Sequence, residues 1–466
     1  MFSWTPRALP GLVVLSGVLA LARSVLRARP DRYRDRILAV RLVADPLVVG
    51  LIGTRSPGRA SAAARGWVAL AVVAATMASV GPACAQSDAL VLRTSRLLDG
   101  TGAVLTERDV IVRDGRIVEI VPAGRETIGM EVVDLRGLTV MPGMIDTHVH
   151  VGWHFDADGR LARGGDAEVR VLRAAENAYA MLAAGFTTVQ SLGGPEDGPL
   201  RDAIARGVLP GPRILTSLGS VSASTGGPAS LRAAVRGFAE RGADVIKIFG
   251  SESIRTGGAP TLSQAQLEAA CGEAATHGLR SVVHAHGDES AARASLAGCT
   301  TIEHGALLGR ETLELLAERG TYYDPNIHLI FQNYFDNEAR YLGIGAYTAE
   351  GFAQMRAAVP RALEAFRIAL GVPGLKTVFG TDAVAGAHGR NAEELVYRVR
   401  TGGQTPHDAI VSATSLAAES LGLGSEVGRI ARGYTADIIA VAGDPLDEIE
   451  ALMDVRFVMK GGRVVR

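Results

Sequence analysis

The sequence predicts an α/β fold: a (β/α)8 TIM barrel with a small β-sandwich domain formed by the segments that flank it. Strand-like runs alternate with helical stretches through the middle of the chain. Eight such β/α units in fewer than about 300 residues suit a closed barrel better than an open sheet. The sandwich is predicted because the first and last segments after the N-terminal extension are short β-branched runs separated by turn residues.

The composition describes a globular chain with a large core. The 466 residues are 47% hydrophobic and 21% charged, with a formal net charge of −1 at pH 7. This near-neutral balance, without a basic stripe, argues against a nucleic-acid partner. The three cysteines, Cys84, Cys271 and Cys299, are too few and too scattered for a disulfide framework or a CxxC zinc site. Any metal must therefore be held by His, Asp, Glu or Lys.

Residues 1–86 are predicted to be an N-terminal extension that ends in a signal peptide. Arg65 precedes an apolar run and the small residues Ala83-Cys84-Ala85, the pattern of a secretory signal. The run is shorter than the roughly 20 residues that a transmembrane helix needs. We therefore expect cleavage after Ala85 and a periplasmic or secreted protein. The upstream residues leave two alternatives, a true translation start near residues 50–60 or an unusual N-terminal membrane segment.

Two segments, residues 87–140 and 426–466, are predicted to form the β-sandwich. Asp114-Gly115 stands between two apolar runs, which is a hairpin signal, and Gly461-Gly462 repeats the pattern near the C-terminus. Residues 141–425 are then an inserted barrel. Its predicted strands are 140–149, 187–192, 213–217, 244–249, 281–285, 300–303, 321–324 and 377–380, and its predicted helices include 166–184, 263–277, 310–319 and 350–369.

Side chains that can bind metals stand where the predicted strands end, which is where a barrel places its active site. The first strand ends with His148 and His150, and alternate residues of a strand face the same side, so both rings can reach one ion. This pair alone is a weak signal. Later strand ends carry Lys247, His284, His286, His304 and Asp382. Their recurrence predicts a metal site.

Lys247 is informative because this sequence uses Arg almost everywhere. Only Lys247, Lys376 and Lys460 are lysines among the 48 basic residues. A lysine inside a barrel strand must find a partner or lose its charge. A neutral lysine amine can take up carbon dioxide and become a carboxylate that bridges two cations, which Arg cannot do. The alternative is a buried lysine paired with an acid.

These residues lie in segments that resemble the amidohydrolase superfamily over about residues 88–466. The chain is similar to the prolidase-like and imidazolonepropionase-like branch, which includes Xaa-Pro dipeptidases, carboxypeptidase-type dipeptidases and ochratoxin-hydrolysing amidases, and which is binuclear. The matching segments include Pro142-Gly-Met-Ile-Asp-Thr-His-Val-His, Ala184-Gly-Phe-Thr-Thr-Val, Val245-Ile-Lys-Ile, His284-Ala-His-Gly, Ile302-Glu-His-Gly and Gly380-Thr-Asp.

The resemblance implies two divalent metal ions bridged by N6-carboxylated Lys247. The nitrogen and oxygen donors favour Zn²⁺, with Mn²⁺ or Co²⁺ as alternatives. The implied ligands are His148, His150 and Asp382 for the more buried ion and His284 and His304 for the second.

Residues near the implied ligands are expected to contact the substrate. His286 faces the same side as His284 and is the alternative ligand, and we assign His286 to the substrate or to the surroundings of the metals. His388 is expected to touch the substrate. Arg255 and His388 are candidates for binding a substrate carboxylate.

The expected activity is metal-dependent hydrolysis of an amide bond, with Asp382 and Lys247 as catalytic residues. Asp382 would pass a proton from the attacking water to the leaving amine. The expected substrate is a dipeptide or N-acyl amino acid with a free carboxylate, with Xaa-Pro dipeptides and ochratoxin-type amides as examples. Alternatives are a cyclic amide, imidazolone or lactone hydrolase of the same superfamily, a mononuclear deaminase and a non-catalytic scaffold. Relatives assemble into hexamers or octamers, so a homo-oligomer is expected.

Overall fold

A computed structural model describes residues 89–124, 130–162 and 164–466. The N-terminal extension and the expected cleavage site after Ala85 lie outside these residues. Within the described ranges, no helix is long and apolar enough to cross a membrane.

The described residues form sixteen strands and twelve α-helices. The strands are β1 (Leu90–Leu98), β2 (Val104–Arg113), β3 (Arg116–Pro122), β4 (Glu131–Asp134), β5 (Leu138–Pro142), β6 (Met144–Val149), β7 (Phe186–Ser191), β8 (Arg213–Thr216), β9 (Ser220–Val221), β10 (Val245–Phe249), β11 (Arg280–Gly287), β12 (Thr301–Leu307), β13 (Tyr322–Asp324), β14 (Ile438–Ala442), β15 (Val455–Lys460) and β16 (Arg463–Val464). The helices are α1 (Ala167–Ala183), α2 (Asp197–Ala205), α3 (Pro228–Glu240), α4 (Gln264–Thr276), α5 (Asp288–Leu296), α6 (Arg310–Arg319), α7 (Leu329–Asp336), α8 (Glu338–Tyr341), α9 (Ala349–Leu370), α10 (Ala392–Arg400), α11 (Pro406–Ser412) and α12 (Ser415–Ser420).

One mixed sheet contains strands from both ends of the described chain. Its order is β16-β15-β14-β5-β1-β2-β3, and β4 pairs with β1. β14 joins the two groups because it pairs antiparallel with β5, which places Ile438 opposite Pro142. The expected pairing of the first and last segments is therefore confirmed.

The hairpin predicted at Asp114-Gly115 is also confirmed. β2 and β3 pair antiparallel around it, with Arg113 opposite Arg116. Asp114 has φ 52° and Gly115 has φ 78°. Two consecutive left-handed residues make the turn whose twist matches that of the flanking strands, and Asp and Gly tolerate this conformation better than most residues.

Parallel strands form two further sheets, of order β13-β12-β11-β10-β9 and β6-β7-β8. Isolated parallel bridges pair Tyr323 with Thr377 and Val149 with Ala383. The chain between Thr377 and Ala383 therefore bonds to β13 on one side and follows the end of β6 on the other. It occupies the position of the predicted strand 377–380 without forming a regular strand.

The prediction of one continuous strand at 140–149 is wrong. β5 ends at Pro142, β6 begins at Met144, and the two belong to different sheets. Gly143 separates them: its N–H donates to the carbonyl of Asp437 (2.9 Å), and a side chain at Gly143 would collide with Thr187. The apolar pattern runs through this boundary and therefore concealed it.

The four predicted helices are confirmed within one residue at each end, as α1, α4, α6 and α9. A capping box explains the start of α4, because the Ser263 side chain accepts from the N–H of Gln266 and the Gln266 side chain accepts from the N–H of Ser263. Apolar residues of these helices and of the parallel strands pack together, as Leu267 and Leu313 do with Val283.

Cys271 and Cys299 form a disulfide that the sequence analysis did not predict. Their separation of 28 residues carries no pairing signal. They meet because α4 and the chain before β12 bury both cysteines in the same apolar cluster. The expectation that three cysteines are too few for a disulfide framework did not address a single bridge such as this one.

Candidate metal centre

The predicted metal ligands converge on one cavity of about 180 Å³. They lie on β6, β10, β11 and β12, directly after β6, and in the segment after Thr377. Eight of the predicted site residues line it: His148, His150, Lys247, Arg255, His284, His286, His304 and Asp382.

His148, His150 and Asp382 form the tightest group. Asp382 Oδ1 lies 3.0 Å from His150 Nε2 and 3.4 Å from His148 Nε2. Ligand atoms of all three residues lie within 4.8 Å of one another, so they can hold one ion. Burial alone would raise the pKa of Asp382, but the two imidazoles hold that pKa well below its usual range. The group therefore contains an ionised carboxylate.

Lys247 is buried beside this group. Its Nζ lies 3.3 Å from His148 Nε2 and 5.6 Å from the centre of the Phe249 ring. Burial lowers the pKa of the Lys247 ammonium, although the charges of Glu303 and Asp382 oppose this effect. A lowered pKa favours the neutral amine, which is the form that carboxylation requires.

Three histidine rings complete the cavity wall. The ring centre of His304 lies 4.6 Å from that of His284 and 5.0 Å from that of His286. Burial lowers the pKa of all three rings, that of His286 to about 3. Neutral imidazoles have a lone pair for a metal. Both strand-end histidines are close to His304, so the choice of His284 as ligand stays a prediction.

Two of the predicted ligands have left-handed backbone conformations, His304 with φ 70° and Asp382 with φ 53°. Such conformations cost roughly 1–2 kcal/mol for a residue other than glycine and cluster at functional sites. At His304 the conformation breaks the strand alternation, which would place Glu303 and His304 on opposite faces. Both side chains approach His148 instead. Glu303 Oε2 lies 2.7 Å from His148 Nδ1, and the ring centres of His304 and His148 are 5.2 Å apart.

Buried carboxylates that support the ligands were missed. Besides Glu303, Asp146 on β6 accepts hydrogen bonds from Thr381 Oγ1 (2.6 Å) and Asn391 Nδ2 (2.7 Å), which fixes the residue before Asp382. Burial raises the pKa of both Asp146 and Glu303 to about 7. Both carboxylates stand one or two residues before a ligand in the matching segments, and that proximity is the signal that could have found them.

His388 contacts the backbone of a predicted metal ligand. Its Nε2 donates to the backbone carbonyl of His150 (3.1 Å), and it is not among the described residues that line the cavity. Burial lowers its pKa to about 4. Its contact with substrate stays a prediction.

Comparison with known proteins identifies the family. Residues 139–465 match the model of the amidohydrolase family. This chain belongs to the amidohydrolase family. The amidohydrolase is accordingly a hydrolase that acts on carbon–nitrogen bonds, and the resemblance drawn from the strand-end motifs is confirmed.

The similar proteins include members of the predicted branch. The amidohydrolase is 28% identical to ochratoxinase from Aspergillus niger over 375 residues, which is 70% of this chain and 75% of that protein. Its structure is similar to that of a Xaa-Pro dipeptidase with bound methionine (31% identity, TM-score 0.74, 81% of this chain and 100% of the other). It is also similar to a prolidase complexed with N-methylphosphonate-L-proline (26% identity, TM-score 0.72, 81% and 99%).

Proposed function

We propose that this amidohydrolase is a binuclear metalloenzyme that cleaves the amide bond of a dipeptide or N-acyl amino acid with a free carboxylate. The carrying observation is the single cavity in which neutral imidazoles, the ionised Asp382 and the buried Lys247 meet. The names of the similar proteins support the substrate class, since a dipeptidase and a prolidase act on peptides.

The donor set fits two divalent ions, and its nitrogen and oxygen atoms favour Zn²⁺. Bound ions would supply a water of lowered pKa and a polarised substrate carbonyl. The residues that would hold them are His148, His150 and Asp382 for one ion, His284 and His304 for the other, and N6-carboxylated Lys247 between the two.

Asp382 performs the proton transfers. Its carboxylate is ionised in the cavity, so it can accept the proton of the attacking water. It then delivers that proton to the nitrogen of the leaving amine as the carbon–nitrogen bond breaks. The Nε2 atoms of His148 and His150 lie 3.4 Å and 3.0 Å from Asp382 Oδ1, so the three side chains converge on one point.

A metal analysis and a substrate screen test this proposal. The zinc-supplied chain is incubated with Xaa-Pro dipeptides, other dipeptides, N-acyl amino acids and ochratoxin-like arylamides, and products are identified by mass spectrometry. Cleavage before a free carboxylate, with two ions per chain, is expected. Failure to cleave any of these by protein that holds two ions would refute the substrate class and favour cyclic amides, imidazolones or lactones.

Two substitutions separate the roles of the residues. Lys247→Ala should lose most bound metal and activity, whereas Lys376→Ala, at an exposed lysine paired with Glu419 (2.7 Å), should retain both. Asp382→Asn should depress turnover while the fold is kept. Wild-type metal content in Lys247→Ala would contradict the bridging role.

We also propose a barrel with a flanking β-domain, and two contacts support this architecture. The Asp244 N–H donates to the Thr216 carbonyl (2.8 Å), between the sheets of β10 and β8. The segment that follows Thr377 bonds to β13 and reaches the end of β6. These contacts support one (β/α)8 barrel at 141–425, with a β-sandwich built from 87–140 and 426–466.

We also propose that the protein is exported and that it forms a homo-oligomer. The disulfide between Cys271 and Cys299 supports a periplasmic or secreted location, because disulfides persist in oxidising compartments. The resemblance to hexameric or octameric relatives is the basis for a homo-oligomer, and Val169 and Leu172 are exposed apolar side chains three residues apart on α1. Light scattering after gel filtration measures the assembly, and the N-terminal sequence of exported protein measures the cleavage expected after Ala85.

A further inference from the structure

Arg255 lines the metal cavity, and its neighbours restrict the position of its side chain. It lies in the short 3₁₀ turn Ile254–Thr256 that follows β10, and its N–H donates to the Ser253 side chain (3.2 Å). Its guanidinium carbon lies 4.2 Å from the centre of the Tyr347 ring and 5.5 Å from that of Tyr334. The two rings are themselves linked, because the Tyr347 hydroxyl donates to that of Tyr334 (2.9 Å). The cation is thus held in place by aromatic faces.

Within the described ranges, Arg255 has no carboxylate in an ion pair, and its buried Nε has no hydrogen-bond partner. The contrast is Arg398, which is fully buried and pairs with Glu394 (3.2 Å) and Asp324 (3.5 Å). Asp382 acts on Arg255 through its charge without forming an ion pair, so a ligand that brings an anion into contact with this partly buried cation would be stabilised. A guanidinium presents a fork of N–H donors that matches the two oxygens of a carboxylate.

The other residues that line the cavity determine which group of the ligand can lie beside its carboxylate. Arg255 shares the cavity with His286 and Asp382, and apolar side chains line the same space, among them Ile330, Phe331, Met355 and Val384. An apolar group of a ligand can therefore lie in the same cavity as the guanidinium and the metal ligands. The volume of about 180 Å³ suits one amino-acid side chain.

We propose that Arg255 is the specificity residue of this site and binds the free carboxylate of the amino acid that leaves, while the apolar side chains bind that residue's side chain. This inference rests on the proposed function for the position of the scissile bond. It goes further in naming the residue that selects acids over neutral amides, and it predicts a leaving amino acid with an apolar side chain.

A binding measurement tests Arg255 without requiring turnover. N-acetyl-L-leucine and N-acetyl-L-leucinamide, which differ in the carboxylate, are titrated by calorimetry into metal-free protein. Wild type should bind the acid at least about 100-fold more tightly than the amide, because a site built for a polar group rejects an analogue that lacks it. Arg255→Met should lose that preference, and Arg255→Lys should keep part of it, since lysine retains the charge without the fork.

Arg356→Met is the matched control. Arg356 also lies over an aromatic ring, 4.5 Å from the centre of Phe335, but it is half-exposed and pairs with Glu338. It should keep the wild-type preference. Thermal unfolding checks that each variant is folded, and the Lys variant carries the test if the Met variant unfolds.

The outcomes separate this inference from the proposed function. Equal affinities of wild type for acid and amide, or an unchanged preference in both Arg255 variants, would overturn the assignment of Arg255 even if amides are cleaved. An acid preference lost in Arg255→Met would establish the carboxylate site even if the substrate screen finds no product. The same substitution should lower kcat/KM on N-acyl amino acids by about 100-fold with bound metal unchanged.

Discussion

Replacing Glu303 with Gln should weaken metal binding although no ligand is removed. Glu303 Oε2 lies 2.7 Å from His148 Nδ1, and both side chains are almost fully buried. A carboxylate beside the second nitrogen of a metal-ligating histidine orients the ring and makes the ligating nitrogen a better donor. Loss of such a partner typically costs 10–100-fold in metal affinity, about 1.4–2.7 kcal/mol. Because Gln keeps the size of Glu and an oxygen acceptor but not the charge, we expect the lower end, about 10-fold.

A competition titration measures this effect. Chelator-stripped wild type, Glu303→Gln and Glu318→Gln are titrated with Zn²⁺ against a chromophoric zinc chelator. Glu318 is an exposed residue of α6, so its variant controls for the loss of one carboxylate. A zinc dissociation constant for Glu303→Gln within about twofold of that of wild type would refute the argument that Glu303 orients His148.

Three further predictions concern stability. Glu394→Gln should lose about 3–5 kcal/mol in urea unfolding, because it leaves Arg398 buried without its close partner; an unchanged midpoint would contradict this. Cys271→Ser should lose about 3–4 kcal/mol, the loop-closure entropy of a 28-residue separation, and reduced wild type should match it. Burial lowers the pKa of His388 to about 4, so the unfolded state binds more protons below pH 6.5 and stability is lost as pH falls from 6.5 towards 4. Metal-free His388→Gln should lose less stability than wild type between pH 7 and about pH 4.5, and equal losses would count against this explanation.

Much of the site could be predicted because its residues follow local rules. The alternation of β6 placed His148 and His150 on one face, and the scarcity of lysine singled out Lys247. No local sequence rule predicts the left-handed backbone of His304, because a histidine does not require that conformation. That conformation brings Glu303 beside His148, so the supporting carboxylate was missed.

Prediction of the fold from the sequence was limited in the same way. Asp114-Gly115 predicted its hairpin because the turn is set by two residues alone. The break at Gly143 depends on the Asp437 carbonyl and on Thr187, which the chain brings near only after folding. The pairing of Cys271 with Cys299 depends in the same way on two elements packing together, so spacing could not predict it.

The insertion of β14 beside β5 affects the order in which the chain can fold during synthesis. The Thr139 hydroxyl donates to the carbonyl of Gly443, 304 residues later. At about 5–20 residues per second, a ribosome needs on the order of 15–60 s to make that interval. Until then β5 presents an unpaired edge, the kind of edge that recruits foreign strands. Chaperone binding during translation should therefore concentrate on nascent chains that have completed β5 but not β14.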